Sequence, residues 1–146
     1  MKKSWLLAIL SGPLFCAFGQ TTDQQVAYEQ ALKTYLDGQF DESRQIIRQL
    51  LEQYPQQDRF ALDLNLLLAK NYDALNENEA IIPLVRQMDI ILSQEHTQNP
   101  WYPVWALYFK GLTQIYLGEL ASGVQAYQQA LELLPPAPGG PEADVI

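Results

Sequence analysis

The chain carries one histidine, His96, and one cysteine, Cys16. These are side chains on which metal sites, redox centres and nucleophilic catalysis commonly rest. His96 lies in Gln94-Glu95-His96-Thr97 without a catalytic motif around it, and it reads as a surface residue at a helix end or in a loop. There is no glycine-rich phosphate loop, no Gly-x-Ser-x-Gly elbow and no His-Glu-x-x-His pair. Asp41-Glu42 and Glu77-x-Glu79 fall near expected helix starts, where carboxylates favour the helix dipole, so they need no acid–base role. The expectation is no enzyme, no metal and no cofactor. The informative residues are aromatic instead: Tyr28, Tyr35, Trp101, Tyr102, Trp105, Tyr108 and Tyr116. Side chains of this kind dominate interface energetics, so the chemistry expected of this chain is recognition.

Composition narrows what could be recognised. The chain has 146 residues, 9 Lys+Arg against 17 Asp+Glu, and a formal charge of −8. That length suits one small domain, and 48% apolar residues can build a core. The acidic balance argues against a nucleic-acid binder and against a polybasic membrane-surface protein.

The first residues read as an export address. Lys2 and Lys3 precede a mostly apolar run, Trp5 to Phe18, and Ala17-Phe18-Gly19 places small residues two apart. This is the layout of a secretory signal, too short to span a bilayer. Residues 1–19 are expected to be cleaved, leaving an exported, periplasmic chain with no stable membrane span. Lipid anchoring through Cys16 fits poorly, because Phe15 precedes it where a small residue is wanted and Pro13 stands where Leu is usual.

From Thr21 onward no alternating apolar run is long enough for a strand, and Ala, Leu, Gln and Glu are common. Residues 20–135 are expected to be all-α. The Pro/Gly-rich stretch 136–146 is expected to be a disordered tail. Self-similarity organises the helices. Ala31 to Phe40 matches Gly111 to Leu120: each runs from a small residue through an apolar helix end to a Gly and then an apolar residue. Each continues into an amphipathic helix ending in Pro, and Gly38 to Pro55 and Gly118 to Pro135 both span 17 residues. Gly38 and Gly118 stand where the chain reverses, a position that often needs positive φ.

These residues resemble the tetratricopeptide repeat, a 34-residue helix–turn–helix unit. Ala31, Gly38, Phe40, Ile47, Leu50 and Pro55 fall on signature positions of a first repeat, 24–57, with Ser43 where Ala is usual. Leu107, Gly111, Gly118, Leu120, Gly123, Tyr127, Ala130 and Pro135 mark a third, 104–137. The middle unit, 62–95, is degenerate: Ala69, Tyr72, Val85 and Met88 fit, but Asn76 replaces Gly and Pro83 is expected to delay or kink its second helix. Extra residues around it are expected at 57–61 and 96–103, with Trp101 and Tyr102 either in an insertion loop or packed over the next helix end. The resemblance implies about three hairpins stacked as a short right-handed superhelix.

The resemblance also implies a concave groove lined by the first helix of each unit. Tyr28, Leu32, Tyr35 and Leu36 would come from the first unit, and Asp63, Leu66, Lys70 and Asp73 from the second. Trp105, Tyr108, Leu112, Ile115 and Tyr116 would come from the third. The family's basic carboxylate-binding pattern is not reproduced, since only Lys70 stands at a comparable place. Val124, Leu131 and Leu134 on the last helix lack a capping helix and form a possible end interface. Three functions compete: an envelope adaptor or assembly factor binding a protein segment, a structural component self-associating through the uncapped helix, and a glycan-binding protein or enzyme using Trp101–Trp105.

Overall fold

The computed structural model describes residues 22–94 and 97–136. The expected leader with Cys16, His96, and the tail from residue 137 lie outside the described residues. Six helices follow one another: α1 Thr22–Leu36, α2 Phe40–Gln53, α3 Arg59–Ala74, α4 Asn78–Gln94, α5 Trp101–Tyr116 and α6 Leu120–Glu132. Among the described residues there is no strand, and the fold is all-α.

Three reversals share one geometry. Gly38 (φ 79°), Asn76 (φ 57°) and Gly118 (φ 85°) hold the left-handed conformation after α1, α3 and α5. In each the next residue's N–H reaches back five residues: Gln39 to Thr34 O at 3.0 Å, Glu77 to Tyr72 O at 2.8 Å, Glu119 to Gln114 O at 2.8 Å. These bonds satisfy carbonyls that a helix end leaves unpaired. Asn76 performs the glycine's task because its short polar side chain tolerates that conformation better than other side chains do.

Each helix packs on the next, and α1 also touches α3, as α3 touches α5. The central helix α3 is therefore covered: every residue from Phe60 to Tyr72 is buried. Leu62, Leu64, Leu67, Ile47, Ile81, Met88, Ile91 and Phe109 form the innermost core. Between α1 and α2, Ser43 Oγ donates to Ala31 O at 3.0 Å and accepts from Asn71 Nδ2 at 3.0 Å, tying α1, α2 and α3 together. Between α5 and α6 the backbones meet at Gly111 and Gly123. A Cβ on Gly111 would lie 2.9 Å from Gly123 O and 2.7 Å from the Tyr127 ring.

Three expectations are corrected. Helix α3 begins at Arg59, inside the stretch 57–61 expected as extra residues, because Asp58 accepts the Ala61 N–H at 3.0 Å and caps the helix there. Trp101 and Tyr102 are not in a loop but form the first turn of α5. Pro103 fits that turn because its N–H would have had no intrahelical partner there. Asn99 Oδ1 accepts the Trp101 N–H at 3.0 Å. Pro83 does not delay α4, which starts five residues earlier at Asn78 and runs to Gln94. The lost backbone bond is offset by burial of Ile81, Val85, Met88 and Ile91 on the helix's inner face.

Candidate functional site

One cavity is a trough of about 640 Å³. Alternate helices build it: Tyr35 from α1, then Lys70, Asp73 and Ala74 from α3, then Trp101, Val104, Trp105 and Tyr108 from α5. Helix α6 closes one side with Tyr127, Ala130 and Leu131, and Leu134 extends the rim just beyond it. The 3.6-residue period accounts for the selection. Trp101, Val104, Trp105 and Tyr108 are three or four apart and share a face of α5, as Lys70, Asp73 and Ala74 do on α3.

The aromatic rings of the wall pack on one another. The Trp105 ring stands edge-on to Tyr108 with centroids 5.6 Å apart and stacks on buried Phe109 at 6.0 Å. Tyr108 in turn lies 5.7 Å from Tyr127. Two charges interrupt the apolar lining. Lys70, only 8% exposed, places its ammonium 4.1 Å from the centre of the Trp105 ring. Burial lowers its pKa to about 8, although the negative charge of Asp63 opposes that fall. Asp73 accepts a hydrogen bond from the Tyr108 hydroxyl at 3.3 Å. Burial, with the charge of Asp73, pushes the Tyr108 phenol up to about 12, so it stays a neutral donor. Tyr35 and Tyr127 are raised by the same two causes.

Of the groove residues expected from sequence, Tyr35, Lys70, Asp73, Trp105 and Tyr108 line the trough together. Tyr28 and Leu32 do not: both are buried in the core on the inner face of α1, where no partner reaches them. Asp63 and Leu66 are likewise buried, at 1% and 2% exposure. The Asp63 carboxylate is instead hydrogen-bonded by the Tyr102 side chain. Leu112 packs against the core rather than the trough. Tyr116 is exposed but sits apart, beside the turn at Asn76–Ala80. Of the insertion-loop pair, Trp101 lines the trough and Tyr102 is buried in the core. Leu131 and Leu134, expected as a separate end interface, belong to the trough's rim; Val124 is exposed outside it.

Tyr127 was legible as a repeat position but not as a site residue. Its signal is Gly111, whose missing side chain leaves room for the Tyr127 ring over α5. Among the described residues no group of three or more His, Cys, Asp or Glu could hold a metal ion. No helix among them is long and apolar enough to cross a membrane. No family model, no curated protein and no solved structure matches the chain.

Proposed function

We propose that this chain is a recognition module of tetratricopeptide type that holds a segment of another protein in the trough. In this reading it is exported and works as an adaptor or assembly factor in the cell envelope. One observation carries it: an apolar, aromatic trough lined in turn by α1, α3 and α5, with Leu131 on its rim 66% exposed. Such a surface gains from covering by apolar side chains of a partner. The repeat arrangement is supported by the three matching reversals at residues 38, 76 and 118 and by the contacts of α1 with α3 and α3 with α5. Export rests on the leader-like pattern of residues 1–19 alone.

The test is a photo-crosslinking residue at Tyr108 in the full chain expressed with its leader, with adducts identified by mass spectrometry. A discrete foreign protein captured at Tyr108 and competed away by a trough ligand supports the module. No foreign adduct at Tyr108 under conditions where the protein is folded removes it.

A second reading is self-association. Leu120, Val124, Leu131 and Leu134 are all exposed along one side of α6 and just past it. Their spacings of four, seven and three residues put them on one helical face, an apolar stripe on which a second copy could pack. Crosslinks at Leu131 joining two copies of this chain, with none to other proteins at Tyr108, would favour it.

A further inference from the structure

The trough's charges are not symmetrical. Lys70 is answered from two sides: Asp63 stabilises its ammonium electrostatically, and the Trp105 ring covers it at 4.1 Å. Asp73 has no such answer. Its carboxylate accepts from the Tyr108 hydroxyl at 3.3 Å, and among the described residues no Lys or Arg forms an ion pair with it. A carboxylate lining an apolar cavity is costly without a counter-charge. Around it stand aromatic rings. Tyr35, Tyr108 and Tyr127 all line the same cavity, and the phenols of all three feel the Asp73 charge. A carboxylate beside phenol oxygens, in a cavity lined by aromatic rings that attract cations, suits an ammonium or guanidinium group. The chain's charge of −8 acts in the same direction at longer range.

We propose that Asp73, walled by Tyr35, Tyr108 and Tyr127, is the seat for a Lys or Arg side chain presented by the protein segment that enters the trough. This rests on the segment-binding reading given above and specifies the partner's chemistry: a basic residue flanked by apolar ones. The apolar neighbours would lie on Val104, Ala130 and Leu131 at either side of the seat.

Two measurements on the folded, purified chain test it. The first titrates benzyltrimethylammonium, its neutral isostere neopentylbenzene and the anion phenylmethanesulfonate, each read by chemical shifts of the Trp105 indole. Expected is that the ammonium binds most tightly and that Asp73→Asn weakens it by about fivefold or more, the range of a desolvated cation–aromatic site. The carboxamide keeps an acceptor for the Tyr108 hydroxyl, so the fold is retained, as circular dichroism will report. Should the variant fail to fold, the unaltered chain still decides, because added salt must weaken the cation and leave the neutral probe unmoved. Equal binding of all three probes, or tighter binding of the sulfonate, overturns the seat.

The second measurement selects trough binders from a displayed random peptide library. Enrichment of one Lys or Arg position, lost against Asp73→Asn, supports the proposal. Peptides that bind the trough without a basic residue overturn it and leave the segment reading intact. No bound peptide, with the ammonium still bound at Asp73, sinks the segment reading and the peptide source together, and reassigns the seat to small cations.

Discussion

Lys70 is the residue at which electrostatics and packing disagree most. Its folded pKa is lowered from 10.5 to about 8, chiefly by burial. The unfolded chain therefore holds this proton more tightly, and stability rises as pH climbs from about 8 toward 10.5. At about 1.4 kcal/mol per unit the full effect is about 3 kcal/mol, and the Trp105 contact reduces it to roughly 1–2 kcal/mol. The tyrosines set the upper edge. Tyr28, Tyr102 and Tyr108 are all raised above 10.0, so the stability they lend is complete below that value and is lost as pH rises through their folded values. Urea unfolding at about pH 7.5 and about pH 9.5 is expected to show greater stability at the higher value. Lys70→Met is expected to remove that rise; a rise that survives the substitution refutes the assignment to Lys70. Ser43 gives a second prediction at this scale. Its hydroxyl is buried and bonded to both Ala31 O and Asn71 Nδ2. Ser43→Ala restores the residue usual in the resembled repeat yet is expected to cost about 1–2 kcal/mol, because an Asn71 donor loses its partner. An unchanged urea midpoint would show that the hydroxyl bonds add nothing net.

Helix pairs set the shape of the trough, and α5 with α6 is the pair where a single atom matters. Gly111→Ala would place a Cβ 2.7 Å from the Tyr127 ring and 2.9 Å from Gly123 O. The carbonyl cannot retreat without moving α6, so a loss of about 1–3 kcal/mol is expected. Tyr127 lines the trough, so the same change should also weaken any trough ligand. Ligand affinity that stays constant while stability falls would show the Tyr127 ring to be uninvolved. This is also the scale at which the sequence was most readable. Gly38 and Gly118 marked two reversals correctly, since positive φ leaves few alternatives to glycine. Asn76 hid the third, because an asparagine can make the same turn without announcing it. Helix starts were less legible: Asp58 and Asn99 cap through side chains whose role depends on where the chain enters, and Pro103 looks like a start signal although α5 begins at Trp101. For the site, the resemblance to the repeat pointed to Tyr35, Lys70, Asp73, Trp105 and Tyr108. It could not separate them from Tyr28 and Leu32, because an apolar stripe does not say which of its ends is covered by a second layer. Tyr28 and Leu32 are buried in the core, whereas Tyr35 is only partly buried and lines the trough.

At the level of the whole molecule, the last helix decides how the chain meets anything else. Gly123, Ala126 and Ala130 bury one face of α6 against α5, while Leu120, Val124 and Leu131 stay exposed beside it. Helix α6 itself carries one charged side chain, Glu132, so the stripe is locally neutral on a chain of net charge −8. Association of two copies through this stripe would be opposed by long-range repulsion that salt screens, and favoured by apolar contact that salt does not weaken. Dimerisation, if the stripe drives it, must therefore strengthen between about 0.02 M and about 0.5 M salt, the reverse of an ion-pair interface. Leu131 and Leu134 lie both at the end of this stripe and on the trough's rim. Copies paired there would cover part of the trough, so a trough ligand and a second copy are expected to compete. Sedimentation equilibrium across that salt range, with and without a bound peptide, reads both effects. The stripe predicts a salt-strengthened dimer that the peptide dissociates and that Leu131→Glu abolishes. A monomer at every salt concentration removes the self-association reading and leaves Leu131 and Leu134 as the part of the trough's rim that a foreign segment must cover.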